Sequence, residues 1–444
     1  MFNKLIKNIK QKLNKIRVEQ RPIITNTECR QFNNNDVIII IGYRNIGKTY
    51  LCNIIENELN IKHYDLDELI KKKTGNIKDY IKYNNWEKFR EMENKLFKEL
   101  LKENLENSII SLGGFVDTVE NQDILEKFQN IIWLRCYETQ DIIRVNNNNK
   151  KPCPNKNIKE EYNKRKIIYN KISKYEFWIE NFNALYSDNT KNEFIKYIKT
   201  FKKKMVKTNI NTYLVTLNNY KNTDYYNNIL NKMNEINNIT SIELRCDLMI
   251  NIRRLPFIIN KIRQNSNKDI ILVLKDEADK GLYSPEKTLT NGRDTKYYIY
   301  KWLLKLNIEY LEIESRFSEL YINKLNKYKN KTKFIGAKYI TNIEALTISN
   351  IKKHLNEINK KNIDIIKLIY TFEIDVHLLN YSISAYIKET NTNKVIISYS
   401  THKNSIITRF FNSCLTPLTK TTTNNNYILE INKIIEIKKE LNII

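Results

Sequence analysis

The stretch Val37-Ile38-Ile39-Ile40-Ile41-Gly42-Tyr43-Arg44-Asn45-Ile46-Gly47-Lys48-Thr49 decides how the chain is read. Five consecutive β-branched residues read as a strand buried on both faces, as in a parallel sheet. The next eight residues fit G-x-x-x-x-G-K-[ST]. The loop opens into a helical pattern, which is the context that motif requires. Gly42 and Gly47 let the backbone curl so that its N–H groups face phosphate oxygens. The helix N-terminus adds a field that favours anions. Lys48 suits terminal phosphates, and the Thr49 hydroxyl suits Mg²⁺. Composition does not explain the match, since only 8 glycines occur in 444 residues and two fall on its fixed positions.

Outward from this loop the pattern stays α/β. Further strands are predicted at 109–112 and 131–134, with helical stretches between them. Residues 146–151, inside the run NNNNKKPCPNK, read as a mobile loop. A helix follows over 164–173, and the lysines at 202–204 mark a domain boundary. Beyond it, apolar strands recur at 213–217, 242–246, 270–274, 310–313, 334–337, 365–369 and 395–398, with a weaker eighth near 411–415. Strands alternating with helices at this rhythm predict a (β/α)8 barrel. The expected fold class is α/β, a P-loop kinase domain (parallel sheet flanked by helices) followed by a (β/α)8 TIM barrel. The expected division is a basic polar leader over 1–34, the P-loop domain over 35–204 and the barrel over 205–444.

Several residues after the phosphate loop carry a more specific resemblance. Asp65-Leu66-Asp67 forms D-x-D, and Phe89-Arg90-Glu91-Met92-Glu93 forms F-R-x-x-E. Gly113-Gly114 follows a strand, and Arg165-Lys166-Ile167-Ile168-Tyr169 is set against R-x-P-L-Y, matching its Arg and Tyr. In this order over residues 36–185 these motifs resemble those of shikimate kinases. The resemblance implies ATP with Mg²⁺ as cofactors and shikimate as the small-molecule partner. It implies that Gly42, Gly47, Lys48 and Thr49 hold the nucleotide and that Thr49 and Asp65 support the metal. Asp67 would hold the reacting hydroxyl. Arg90 and Arg165 would bind the substrate carboxylate, Glu93 would orient Arg90, and Gly113 and Gly114 would border the pocket. The chemistry agrees, because a planar guanidinium fork grips a carboxylate bidentately. Two departures stand out. Phe115 takes the place of a third glycine, where a phenyl ring would intrude on the pocket. Lys151 before Pro152 takes the place of the lid arginine, keeping charge but losing the fork.

Residues 210–420 resemble a type I 3-dehydroquinate dehydratase, a barrel enzyme that works through a lysine imine. The matching segments are Glu243-Leu244-Arg245-Cys246-Asp247, Asp364-Ile365-Ile366-Lys367 and Thr408-Arg409. The resemblance makes Lys367 the imine lysine and Arg409 a carboxylate ligand, with Glu243 and Arg245 lining the pocket. All are expected at the C-terminal ends of strands, where barrel active sites lie. Tyr339 falls where the family has its catalytic histidine, and Lys275 where it has an arginine. A proton shuttle needs a group titrating near neutrality, which suits histidine and not tyrosine. Of the four histidines only His402 is expected near the correct face. The barrel is therefore read as degenerate and without dehydratase turnover.

A kinase followed by a dehydratase resembles part of the fungal AROM pentafunctional proteins. It equally resembles the fungal quinate repressors, regulatory relatives with degenerate catalytic residues. Two functions follow as expectations. One is phosphorylation of shikimate in aromatic amino-acid biosynthesis, with other shikimate-pathway enzymes as partners. The other is an inactive regulator that senses the pathway's ligands, the only reading in which nucleic acid is a partner.

The net charge of +25 comes from lysine scattered along the chain and reads as solvated faces in place of a nucleic-acid stripe. The six cysteines include no C-x-x-C pair, which suits reduced thiols and a cytoplasmic location. No apolar run reaches the ~18 residues of a membrane span. Phe2, Leu5, Ile6, Ile9, Leu13 and Ile16 recur at helical spacing among lysines. Residues 1–17 thus read as a basic amphipathic arm, with organelle targeting or a surface anchor as alternatives.

Overall fold

The computed structural model describes residues 37–103, 105–147, 157–202, 213–217, 239–249, 251–279, 281–283, 292–343, 346–412 and 416–420. The basic arm and Lys151 lie outside these residues.

The first sheet has five parallel strands: β1 (Ile38–Ile41), β2 (Lys62–Asp65), β3 (Ser108–Ser111), β4 (Ile131–Cys136) and β5 (Tyr175–Ile179). Their order is β2-β3-β1-β4-β5. Strand β1 is central, and all four of its isoleucines are buried. Helices α1 (Lys48–Leu59), α2 (Leu66–Thr74), α3 (Ile77–Leu100), α4 (Val119–Glu126), α5 (Thr139–Asn147), α6 (Ile158–Ile172) and α7 (Asp188–Lys202) accompany it. Strand β5 escapes the pattern reading because Glu176 sits inside it. The carboxylate is buried there by paired donors, Arg135 Nη1 at 2.9 Å and Trp178 Nε1 at 2.9 Å. Asn146 and Asn147, expected in a loop, instead end α5, and Asn146 is buried.

The second sheet has eight strands, β6 (Tyr213–Leu217), β7 (Ile239–Arg245), β8 (Asp269–Val273), β9 (Tyr310–Glu314), β10 (Lys333–Ile340), β11 (Ile365–Tyr370), β12 (Val395–Ser400) and β13 (Thr416–Lys420). Each pairs in parallel with the next from β6 to β12. Strand β13 returns to lie parallel beside β6, the circular order of a (β/α)8 barrel. Among the described residues no ladder joins β12 to β13. The eighth strand lies a few residues beyond the expected 411–415, because Lys403–Phe411 forms a 3-10 turn.

Side-chain alternation sorts the barrel into two cores. Ile366, Leu368 and Tyr370 face the helices, which include α8 (Leu255–Asn265), α9 (Gly292–Leu303), α10 (Glu319–Asn326), α11 (Ile348–Asn359) and α12 (Val376–Thr390). Ile365 and Ile369 face inward with Ile271, Val273, Tyr310, Ile335, Val395, Ile397 and Tyr399. Inward positions therefore include Lys367, which stands between Ile365 and Ile369 on β11.

The two sheets are joined by a polar and aromatic seam. Lys305 Nζ donates to the Asn170 carbonyl at 2.6 Å and to Ser173 Oγ at 3.1 Å, capping the C-terminal end of α6. Arg254 pairs with Glu180, and Trp178 meets Trp302 edge-on at 6.5 Å between ring centroids. Helix α7 packs on α8.

On α7, Glu193 accepts from Asn189 at 3.0 Å. Burial pushes its carboxyl up to about 7, opposed by that hydrogen bond, while Glu180 pushes it further up. The folded state therefore holds the proton that the unfolded chain releases above about 4.5, and stability falls as pH rises toward 7. Glu193→Gln removes this cost. Thermal denaturation should show the variant's midpoint raised by about 3–6 °C at pH 8.5 and little changed at pH 5.

Candidate active site

The phosphate loop is built by the end of β1 and the start of α1. Gly47 caps α1 with φ 89°, a left-handed value, and a Cβ there would lie 2.5 Å from Leu185. Conformation and packing thus both demand glycine. Lys48 Nζ folds over the loop and donates to the carbonyls of Gly42 at 2.9 Å and Tyr43 at 3.0 Å. Asn146 pins the loop from α5, accepting from Asn45 at 3.0 Å and donating to the Arg44 carbonyl at 3.2 Å. No motif marked Asn146, because it opens an asparagine run that looks like low complexity.

Thr49 Oγ1 donates to Asp65 Oδ2 at 2.6 Å. The other Asp65 oxygen caps α2, accepting from the backbone N–H groups of Asp67 at 3.0 Å and Glu68 at 3.3 Å. This fixes the direction of the carboxylate. A hydroxyl and a carboxylate, both oxygen donors beside a phosphate loop, are the hard ligand set that suits Mg²⁺.

The candidate acceptor end of the cleft includes Asp67. Gly113 and Gly114 follow β3, and the space above them is filled by functional groups. A Cβ on Gly113 would stand 2.9 Å from both Asp67 carboxylate oxygens, and one on Gly114 2.6 Å from the Arg90 guanidinium. Phe115 does not intrude as the sequence reading expected. It is fully buried and packs on Phe97 at 4.5 Å between ring centroids. Its carbonyl accepts from Asn121 at 2.8 Å, which fixes the turn so that the ring enters the core.

Arg90 on α3 pairs with Glu93 one turn on and with Asp117. Arg165 on α6 is buried and pairs with Glu161 at 2.8 Å. It also forks onto Asp117, Nε at 2.9 Å and Nη2 at 2.7 Å. Burial pushes the Glu93 carboxyl up to about 7, with Arg90 pulling it back down. Glu93 Oε1 has no hydrogen-bond partner among the described residues. Asp117 is the principal site residue that sequence reasoning missed. It stands alone at the end of the turn Gly114–Asp117 and belongs to no spaced motif.

Lys48, Thr49, Asp65, Asp67, Arg90, Glu93, Gly113, Gly114 and Arg165 all line one cleft of about 1030 Å³. Phosphate loop, candidate metal ligands and arginine pair are thus brought together. Lys151 lies outside the described residues.

The barrel's candidate residues also converge, but at its centre. Lys367 is mid-strand and buried, not at a strand end as expected. Its Nζ donates to Glu312 at 2.5 Å and Glu243 at 3.3 Å. Burial opposes the charge, yet Glu312 and Glu243 outweigh it and push the Lys367 pKa up. Arg245 forks onto Asp247 at 2.8 and 2.6 Å. Lys275 lies over the Tyr339 ring at 4.2 Å, and burial lowers its pKa to about 8. Arg409 lies over Tyr399 at 5.0 Å. His402 caps the turn Lys403–Phe411, receiving the Asn404 N–H at 3.4 Å and facing Glu373 at 3.9 Å.

A third carboxylate group, Asp276, Asp279 and Glu314, is neutralised by Lys296 and Arg316.

Comparison with known proteins places these features in two families. Residues 44–202 match the family model "Shikimate kinase", and residues 223–441 match "Type I 3-dehydroquinase". Among curated relatives, the pentafunctional AROM polypeptide of Komagataella phaffii is 24% identical over 422 residues, covering 91% of this chain and 26% of that protein. That of Saccharomyces cerevisiae strain S288c is 24% identical over 413 residues, covering 87% and 25%. The chain therefore spans about a quarter of the length of the curated relatives it matches. Among solved structures, a type I 3-dehydroquinate dehydratase from Clostridium difficile aligns with TM-score 0.43 and 17% identity, covering 53% of this chain and 92% of that one. A shikimate kinase from Bacteroides thetaiotaomicron aligns with TM-score 0.31 and 20% identity, covering 37% and 96%. The chain carries a shikimate kinase family domain followed by a type I 3-dehydroquinase family domain, and is similar along most of its length to one stretch of the AROM polypeptides.

Proposed function

We propose that residues 35–204 transfer the terminal phosphoryl group of ATP to a hydroxyl of shikimate, as a step of aromatic amino-acid biosynthesis. The observation that carries this reading is a single cleft with a phosphate loop at one end and two arginines at the other, with Asp67 between them. Phosphoryl transfer asks the protein mainly for positioning and charge neutralisation. Lys48 supplies a cation at the phosphate end. Arg90 and Arg165 hold the acceptor's carboxylate, and Asp67, beside Gly113, orients the attacking hydroxyl and takes up its proton. Mg²⁺ held by Thr49 and Asp65 would supply further neutralisation of phosphate charge. Lys151, in the lid segment, adds a further cation in this reading.

We assign the barrel no dehydratase turnover. Imine formation needs a neutral amine, and two carboxylates keep Lys367 an ammonium. Tyr339, whose hydroxyl pKa burial pushes well up, is no substitute for a histidine shuttle. The same locked lysine favours a second reading, a regulator that senses pathway ligands without turning them over.

Coupled ADP release with ATP, Mg²⁺ and shikimate separates the two. The kinase reading expects shikimate-dependent turnover that falls about 10²-fold or more in Lys48→Met. Folded protein that binds ATP and shikimate without turnover would move the assignment to the regulator. For the barrel, borohydride treatment with 3-dehydroquinate should leave Lys367 unmodified on peptide mass mapping. An adduct on Lys367 would restore the imine chemistry.

A further inference from the structure

Two arginines from different helices face the acceptor end of the cleft, and one carboxylate joins them. Asp117 Oδ1 accepts from Arg165 Nε, and Oδ2 accepts from both Arg165 Nη2 and Arg90 Nη2. Each arginine also has a carboxylate of its own helix, Glu93 for Arg90 and Glu161 for Arg165. Those two steady each arginine along its helix and say nothing about the distance between them. Among the described residues, Asp117 is the carboxylate that bonds to both, and this fixes their separation. Arg90 and Arg165 both line the cleft, so the carboxylate they share holds two of its walls to one another. The Asp117 side chain is 20% exposed, and those of the arginines 12% and 6%, so the fork is well shielded from water.

We propose that Asp117 is a positioning residue that presets Arg90 and Arg165 as one clamp for the carboxylate of the acceptor. The physical reason is entropic. Two long side chains that must meet one planar ligand lose rotamer freedom on binding unless something has already ordered them. A shared carboxylate orders them in advance, and leaves the remaining guanidinium N–H groups to the cleft. The identity of the ligand as shikimate rests on the kinase reading; the preset clamp for a carboxylate does not.

The test compares Asp117→Asn and Asp117→Ala with the wild-type full chain. Asn keeps the volume and one acceptor oxygen, so its effect should be intermediate. The KM for shikimate should rise about 10-fold or more in Asp117→Ala, with kcat changed less than about 2-fold and the KM for ATP unchanged. In a direct titration, the preference for shikimate over its carboxamide should shrink in the same order. A merely structural role would lower the unfolding midpoint and weaken ATP and shikimate alike, which overturns the proposal. A lower KM for shikimate would overturn it too, since Asp117 would then compete with the ligand. If the wild type shows no shikimate turnover, benzoate against benzamide, followed by NMR line broadening, probes the clamp alone. Preference for benzoate that is lost in Asp117→Ala sustains the proposal while the kinase reading falls. No preference in the wild type overturns the proposal.

Discussion

The burial of β1 on both faces is the constraint on which the kinase-like half depends. Four isoleucines with no accessible side hold the strand at the centre of the sheet. Strands β3 and β4 flank it, and after β3 the chain crosses to the other side of β1 to form β4, so the crevice opens at the C-terminal edge there, where α/β sheets bind ligands. Gly47 turns the chain there in a left-handed conformation against Leu185, and α1 starts at the crevice, whose lining includes Gly47, Lys48 and Thr49. The candidate metal ligand Asp65 and the proposed acceptor end are placed by the neighbours of that strand. Asp65 ends β2, and Gly113 and Gly114 follow β3.

The two halves use buried charge differently. In the kinase cleft the arginines are backed by carboxylates but still form its wall. In the barrel, Glu243 and Glu312 close on Lys367, and Asp247 takes the forked edge of Arg245. A buried ion pair with good geometry is expensive to break, because each partner left alone pays its full desolvation. That is why the retained lysine does not imply retained imine chemistry. Tyr339, at the position where the resemblance leads one to expect a histidine, packs against the inward apolar cluster.

Much of this was legible in the sequence because it rests on local chemistry at fixed spacing. The phosphate loop and most barrel strands follow from residue type and period, and Asp65 with Asp67 and Arg90 with Glu93 follow from the resemblance to shikimate kinases. What was not legible depends on partners distant in the chain. Strand β5 hides behind Glu176, whose buried charge is paid for by Arg135, 41 residues away. Asp117 acquires meaning only when α3 and α6 bring two arginines to it, 27 and 48 residues off. Phe115 looked obstructive because a sequence position does not say which way a ring turns; Asn121 holds its carbonyl and sends the ring into the core. Asn146 shows the reverse case, a residue in a low-complexity run made specific by the two hydrogen bonds it forms with the phosphate loop.

The central claim is that one cleft joins a nucleotide's phosphates to a carboxylate-bearing alcohol. It is tested most directly by ³¹P NMR of the full chain with ATP, Mg²⁺ and shikimate. The account predicts a new phosphomonoester resonance, coupled to a ring proton of shikimate, that grows as ATP is consumed. ATP consumed to ADP and inorganic phosphate alone, or not consumed by protein that binds both ligands, would contradict it.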